Sequence, residues 1–184
     1  MRPGERQVSP TIDGIRADHV NRYKWATHHL PGGSVIDAAC GIGYGSYILA
    51  KSGRFVRSVE IDQEAVNYGN QHYAHNRIFR QCVDLYDADL SNDPVVMFEC
   101  IEHVPDPLPI ISKCDGLLLA SVPNEEVFPY RNHKFHYRHY TKKEFEDLLN
   151  KAGFHVDKWF GQEGPESEVE ENVNGRTLIA VAHK

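Results

Sequence analysis

The stretch Val35-Ile-Asp-Ala-Ala-Cys-Gly-Ile-Gly-Tyr-Gly-Ser46 decides the fold of this chain. A short apolar run, then closely spaced glycines, then a helical pattern predicts a strand, a tight turn and a helix. This is the opening unit of a doubly wound α/β sheet, whose first turn receives a nucleotide-like cofactor. The sequence therefore predicts a cofactor site at this turn.

One acidic residue narrows the choice of cofactor. Asp37 ends the predicted strand directly before the glycines, where the pyrophosphate of a dinucleotide would meet a carboxylate. The glycines stand at positions 41, 43 and 45, so Ser46 occupies the place of the third glycine of G-x-G-x-x-G. A cationic ligand without phosphate fits both features. S-adenosylmethionine has an ammonium group and no phosphate.

The run Asp37-Ala-Ala39-Cys-Gly41-Ile-Gly43 resembles the first motif of the class I S-adenosylmethionine-dependent methyltransferases. In that family an acidic residue ends the first strand and G-x-G-x-G follows. Ala39 stands where the family has its first glycine, which narrows the space between loop and cofactor by one methyl group. The resemblance extends over residues 22–160. It implies that Asp37 and the backbone around Gly41 and Gly43 hold the methionine end of the cofactor.

Further residues match later cofactor positions of the family. The resemblance implies that Glu60, ending the second strand, accepts from both ribose hydroxyls and that Asp84 receives the adenine amino group. Asp62 is expected to cap the helix that follows. Tyr23 belongs to an Arg-Tyr pair placed near the methionine carboxylate in similar enzymes, although helix packing explains it equally well. The implied cofactor-binding set is Tyr23, Asp37, Ala39, Gly41, Gly43, Glu60, Ile61, Asp84, Leu85 and Glu99.

A second group of reactive side chains follows the fourth predicted strand. One helical turn starting at Glu99 would place Glu99, Glu102 and His103 at i, i+3 and i+4, so that all three converge on one face. Two carboxylates and an imidazole are suitable ligands for a divalent metal. Mg²⁺ or Mn²⁺ is favoured, and Zn²⁺, Fe²⁺ or Co²⁺ is also compatible with these ligands.

The run E-x-x-E-H, with a later histidine before a T-x-x-E-F helix, resembles two metal-dependent groups of the family. These are the ubiquinone-biosynthesis O-methyltransferases and the small-RNA 3′-terminal 2′-O-methyltransferases. The resemblance implies a metal that binds substrate hydroxyls through Glu99, Glu102, His103 and His136. Beside the metal, His103 or His139 is expected to take the proton of the coordinated hydroxyl, and in the alternative without metal His103 serves as the base or orders the loop through a hydrogen bond.

The remaining pattern predicts a Rossmann-like α/β domain spanning residues 1–184, with seven strands in a mostly parallel sheet, helices on both faces and an antiparallel last strand. Residues 1–13 are expected to be irregular, and residues 14–30 to form a helix over the cofactor. Two short connecting segments, residues 84–93 and 103–115, are predicted to form turns instead of helices. Residues 163–171 predict a solvated hairpin loop. The predicted strands are 35–37, 55–60, 78–83, 94–99, 116–122, 154–160 and 176–182, and the other helices are 44–50, 63–73 and 142–151.

Composition indicates one compact cytoplasmic domain. The chain has 184 residues, 41% of them hydrophobic, no stretch long enough to span a membrane and no signal-peptide core. Its four cysteines are widely spaced and predict reduced core thiols. A net charge of −6 argues against broad nucleic-acid binding without excluding a local basic patch. No pattern predicts an oligomeric state.

These observations together predict an S-adenosylmethionine-dependent methyltransferase acting on a small-molecule hydroxyl with help from a metal or a histidine. The basic, aromatic segment 130–140 predicts a lid over an anionic or sugar-like substrate. Two alternatives stay open. One is an RNA 2′-O-methyltransferase, and the other is a cofactor-binding module without transfer activity.

Overall fold

The computed structural model describes residues 6–184, which form one mixed sheet with helices on both faces. Its strand order is β3-β2-β1-β4-β5-β8-β6-β7. The strands are β1 Ser34–Ala38, β2 Phe55–Glu60, β3 Ile78–Cys82, β4 Val95–Phe98, β5 Leu117–Pro123, β6 His155–Gln162, β7 Glu170–Glu171 and β8 Thr177–His183. Neighbours among β1 to β5 pair in parallel, whereas β8 runs antiparallel to both β5 and β6. The predicted mostly parallel sheet with an antiparallel last strand is confirmed.

Two apolar clusters cover the two faces of the sheet because strand side chains alternate between them. Val35 and Val96 pack with the first three helices, and Ile36 and Met97 pack with the last two. The helices are α1 Ala17–His29, α2 Tyr44–Lys51, α3 Gln63–His72, α4 Leu108–Ser112 and α5 Lys142–Lys151. Across residues 6–184, no helix combines the length and apolar character that a membrane crossing requires.

Local capping determines where two of these helices begin. The Asp62 side chain accepts from the backbone N–H of Glu64 at 3.0 Å, which confirms the predicted cap of α3. Thr141 and Glu144 form a reciprocal capping box at the start of α5. Glu60 is the last residue of β2, two residues before the Asp62 cap, and therefore lies at the carboxyl edge of the sheet.

Several expected features differ in detail. An eighth strand, β7, pairs with β6 inside the segment predicted as a solvated loop, and that loop also bonds to α1 through Asp18 N–H and the Pro165 carbonyl at 3.0 Å. The second short connecting segment, residues 103–115, contains α4 instead of a turn. Pro107 lies at the start of this helix, where the N–H that proline lacks is not needed. Residues 12–14 form a 3₁₀ turn within the segment expected to be irregular, and residues 1–5 of that segment lie outside the described part.

The cysteines follow the prediction with one exception. None of the four forms a disulfide bond, and Cys40, Cys100 and Cys114 are buried. Cys82 is exposed because β3 is the edge strand of the sheet. It is therefore not a core thiol.

Candidate active site

A cavity of about 680 Å³ opens at the carboxyl ends of β1, β2, β4 and β5. This volume is within the range of roughly 300–1,000 Å³ found for small-molecule sites. Helix α1 lines one side with Asp18, His19, Arg22 and Tyr23. Residues 128–140, here called the lid loop, line the opposite side with Phe128, His133, Phe135 and His136.

The turn after β1 has the backbone shape that brings main-chain groups to the cavity. Left-handed backbone conformations are found at Ala39 (φ 57°), Gly41 (φ 57°) and Gly43 (φ 82°). Glycine adopts this conformation without strain, whereas Ala39 carries a Cβ there. Ala39 and Gly41 line the cavity, while Gly43 lies behind it against Arg80.

The Asp37 carboxylate is fully buried inside β1 and does not line the cavity. Tyr23 donates to one oxygen at 2.8 Å, and Ser46 donates to the other at 2.6 Å. Burial raises the pKa of Asp37 from 3.8 to about 6, and the hydrogen bonds from Ser46 and Tyr23 oppose that rise. Asp37 therefore fixes the cavity wall through Tyr23.

Glu60 presents a carboxylate at the end of β2. The backbone N–H of Gly41 donates to its Oε2 at 2.9 Å, and that of Asp62 donates to its Oε1 at 3.0 Å. The Arg6 guanidinium also bonds to Glu60 at 2.9 Å and to Asp62 at 3.1 Å. Its side chain passes 3.6 Å from where a Cβ on Gly41 would lie. The amino-terminal segment thus reaches the same carboxylate that the sequence assigns to a ribose.

Three neighbouring residues complete this end of the cavity. Ile61 follows Glu60 and is 44% exposed, while Leu85 is buried on the facing segment. Asp84 accepts from the backbone N–H of Tyr86 at 2.9 Å, which holds its side chain in an Asx turn. An apolar slot beside a fixed carboxylate can bind a flat heterocycle with an amino group.

Arg22 is buried in the wall between α1 and β5. Its Nε donates to Gln162 at 2.8 Å, and its Nη1 lies 3.2 Å from Glu99 and 3.3 Å from Ser121 Oγ. Its Nη2 is buried and has no hydrogen-bond partner among residues 6–184. Since a buried guanidinium N–H is costly to leave unbonded, this atom is a donor for an anionic ligand group.

Glu102, His103 and His136 bring three possible metal-ligand atoms within 4.8 Å of one another. Glu102 and His103 belong to a 3₁₀ turn after β4, and His136 comes from the lid loop. The Nδ1 of His103 bonds to the Phe135 carbonyl at 2.9 Å, so Nδ1 carries the proton and Nε2 carries the lone pair. This second bond is typical of metal-binding histidines.

His139 stands behind His136, 3% exposed, and does not line the cavity. Its Nδ1 bonds to the Phe128 carbonyl at 2.7 Å, so its Nε2 accepts from Nδ1 of His136 at 2.8 Å. This relay makes Nε2 the nitrogen of His136 that carries a lone pair. His139 as a general base stays a prediction, and in this structure its ring is buried behind His136 with Nδ1 bonded to a carbonyl.

The amino-terminal end of α1 adds a polar wall. Arg16 pairs with Asp18 at 2.7 Å, and Arg16 Nη2 donates to His19 Nε2 at 3.1 Å. Nδ1 of His19 therefore donates to the Tyr44 hydroxyl at 2.9 Å. Burial and the Arg22 charge lower the pKa of His19 to about 4, so this imidazole is neutral at pH 7.

Comparisons with known proteins agree with this geometry. Residues 36–120 match a methyltransferase domain family. A probable S-adenosylmethionine-dependent methyltransferase of Mycolicibacterium smegmatis is 33% identical over 86% of this chain and 66% of its own length. The chain belongs to the class I S-adenosylmethionine-dependent methyltransferases.

Two further members of the family are similar. The ubiquinone biosynthesis O-methyltransferase of Xanthomonas campestris is 33% identical over 62% of this chain and 49% of its own length. The magnesium protoporphyrin IX methyltransferase of Synechocystis, solved with bound S-adenosylmethionine, is 25% identical with a TM-score of 0.64, over 90% of this chain and 77% of that one. This methyltransferase chain thus spans two thirds or less of the first relatives it matches.

Most residues predicted from the sequence line this cavity, whereas Asp37, Gly43 and His139 do not. Asp37 as a direct partner of the ammonium group stays a prediction, and in this structure Tyr23 donates to one of its carboxylate oxygens and Ser46 to the other. Of the four residues in the predicted metal set, Glu102, His103 and His136 come together. Glu99 lines the cavity but accepts from Ser121 at 2.8 Å and pairs with Arg22, and it stands apart from the cluster of Glu102, His103 and His136.

Sequence reasoning missed several contributors to this methyltransferase site. His19 shares a helical face with Arg22 and Tyr23, at i, i+3 and i+4, so helical spacing could have identified it. Arg6 and Gln162 reach the cavity only through tertiary contacts, Ser121 supports Arg22 from β5, and no local pattern marks these three residues.

The raised pKa of Asp37 predicts a pH dependence of stability. The native state binds this proton more tightly than the unfolded chain, so the free energy of unfolding should fall as pH rises from about 4 to about 6. Asp37→Asn stays neutral and should escape this loss, which amounts to at most about 3 kcal/mol. Denaturant unfolding between pH 4 and 8 measures the difference. Asp87→Asn, at an exposed position, is the control, and a difference that does not vary with pH contradicts the prediction.

Proposed function

We propose that this chain transfers the methyl group of S-adenosylmethionine to a hydroxyl oxygen of a small molecule, at a divalent metal held by Glu102, His103 and His136. The observation that carries the proposal is the convergence of these three side chains on the cavity that also contains Glu60 and Arg22. A methyl donor and a metal-bound acceptor would then share one enclosed space.

The cofactor fits the donors that line the cavity. The buried Nη2 of Arg22 suits the methionine carboxylate, and the Glu60 carboxylate, oriented by two backbone N–H groups, suits the ribose hydroxyls. Ile61, Asp84 and Leu85 form the slot for adenine. S-adenosylmethionine supplies an electrophilic methyl group on a sulfonium.

The metal cluster has the chemistry of a transition-metal site. Two imidazoles and one carboxylate suit Mn²⁺, Fe²⁺, Co²⁺ or Zn²⁺ better than Mg²⁺, which prefers oxygen ligands. Without Glu99, the ligand set therefore favours a different group of metals from the Mg²⁺ or Mn²⁺ expected from the sequence. A divalent ion at this position supplies a Lewis acid that lowers the pKa of a coordinated hydroxyl.

The chain's own residues do the positioning. Methyl transfer is an in-line displacement, so the protein must hold the acceptor oxygen about 3 Å from the methyl carbon, opposite the sulfur. Tyr23 and Phe98, packed edge to face at 5.2 Å, form an aromatic wall between the two ends of the cavity. In the metal-free alternative, Nε2 of His103 takes the hydroxyl proton as a base.

A small molecule is favoured over RNA as the acceptor. Two of the basic residues of and after the lid loop are paired with acidic side chains: Arg138 with Glu144 at 2.8 Å, and Lys143 with Asp147 at 2.9 Å. They do not form an open surface for a phosphate backbone. The ubiquinone biosynthesis relative supports oxygen as the methylated atom.

Transfer itself is tested with methyl-labelled S-adenosylmethionine, Mn²⁺ and pools of hydroxyl compounds. We expect S-adenosylhomocysteine and a labelled product with at least one pool. Calorimetry is run in parallel, because tight cofactor binding without product from any pool would identify a cofactor-binding module instead.

Two neighbouring glutamates provide a matched test of the metal site. Glu102→Gln removes a ligand and should weaken Mn²⁺ binding at least roughly tenfold, whereas Glu99→Gln should leave it unchanged because Glu99 faces Arg22. Titration calorimetry measures both. Equal losses would restore Glu99 to the ligand set, and Mn²⁺ binding that survives Glu102→Gln would favour His103 as a base.

Arg6 predicts competition between the amino-terminal segment and the cofactor. Ribose binding to Glu60 must break the ion pairs of Arg6 with Glu60 and Asp62. Arg6→Gln should therefore tighten S-adenosylmethionine binding by roughly fivefold, on the order of 1 kcal/mol. Arg77→Gln also removes one positive charge and is the control, because Arg77 directly precedes β3 and does not line the cavity. Weaker binding in Arg6→Gln would show instead that Arg6 holds the cofactor.

A further inference from the structure

Four arginines line the cavity, and one of them differs from the others in its pairing. Arg6, Arg16 and Arg22 each form an ion pair with an acidic side chain. Within residues 6–184, the guanidinium of Arg176 makes neither a hydrogen bond nor an ion pair. In a chain of net charge −6, a cavity arginine that forms no ion pair within the described residues is a local positive site.

The backbone of Arg176 is firmly placed at the start of β8. The buried Asn124 donates its backbone N–H to the Arg176 carbonyl at 2.8 Å and its side-chain amide to the Gly175 carbonyl at 2.8 Å. Gly175 fits closely here, because a Cβ would lie 2.2 Å from the Gln162 carbonyl oxygen. The turn that carries Arg176 is thus held by packing and by hydrogen bonds.

The same asparagine places the ring on which Arg176 lies. The Phe128 N–H donates to the Asn124 carbonyl at 2.7 Å. The Cζ of Arg176 stands 4.2 Å from the centre of the Phe128 ring. A guanidinium stacked in this way keeps its N–H donors at its edges, in the plane that suits two oxygens of one anion.

The stack also leads towards the proposed metal. The Phe128 ring contacts His133 at 5.1 Å between centroids, and His133 stacks on His136 at 5.2 Å. Phe128, His133 and His136 all line the cavity together with Arg176. One small molecule can therefore reach the metal ligands at one end and the guanidinium at the other.

We propose that Arg176 binds an anionic group of the methyl acceptor, so that the substrate is a hydroxyl compound bearing a carboxylate or a phosphate. The inference rests on the proposed function and adds the substrate class. The lid loop's own cations do not serve this purpose, because Lys134 lies over Phe135, Arg138 pairs with Glu144, and neither lines the cavity.

Two probes that differ by one carboxylate test the proposal. Catechol and 3,4-dihydroxybenzoate are titrated by calorimetry into the full chain saturated with Mn²⁺ and S-adenosylhomocysteine. We expect the carboxylate-bearing probe to bind at least about tenfold more tightly. Arg176→Gln should abolish the preference and Arg176→Lys should retain part of it, since lysine keeps the charge without the planar fork. Competition by benzoate and by inorganic phosphate then shows which anion the site prefers.

Arg131→Gln, which removes a lid-loop charge outside the cavity, is the matched control and should keep the preference. Equal affinities of the two probes, including no measurable binding of either, would overturn the proposal. So would a preference that survives Arg176→Gln. Binding of Mn²⁺ and S-adenosylmethionine is measured first on each variant, so that loss of the proposed function is distinguished from loss of the anion site alone.

Discussion

The buried carboxylate of Asp37 is the interaction on which the site depends, because it joins four elements of the fold. It belongs to β1, receives Tyr23 from α1 and Ser46 from α2, and Ser46 in turn accepts from Ser58 of β2 at 2.7 Å. A charge in such a place is tolerated only with good hydrogen bonds. These bonds keep α1 over the cavity, and α1 carries Arg22 beside Tyr23.

A glycine makes this arrangement possible. A Cβ on Gly45, at the start of α2, would lie 2.1 Å from the Tyr23 ring, so a glycine here makes room for this aromatic side chain. Asp37 thus organises the protein wall through Tyr23 and Ser46, and Tyr23 and Arg22 line the cavity in front of it.

The sheet, its helices and the side chains at strand ends could be predicted because they follow from local patterns. Apolar periodicity marks strands and helices, and parallel strands bring their carboxyl ends to one edge, so Glu60 and Asp84 had to approach each other. Side-chain directions could not be predicted in the same way. Glu99 adopts φ 47° before a 3₁₀ turn instead of starting a helical turn, so the helical spacing expected for Glu99, Glu102 and His103 does not hold. Arg176 lacks a local signal because only the folded turn brings it to Phe128.

The backbone conformation at Glu99 also separates the two groups of polar side chains that line the cavity. Within five residues after β4, Glu99 joins Arg22 on the side assigned to the cofactor, and Glu102 and His103 join His136 on the side assigned to the acceptor. One short backbone segment therefore sets the distance between the two halves of the reaction. Since the rate of a displacement depends steeply on that distance, a tight turn at the end of a central strand is a suitable place for it. The lid loop contacts the side proposed for the acceptor, where the Phe135 carbonyl bonds to His103 and the His136 ring is held by His139.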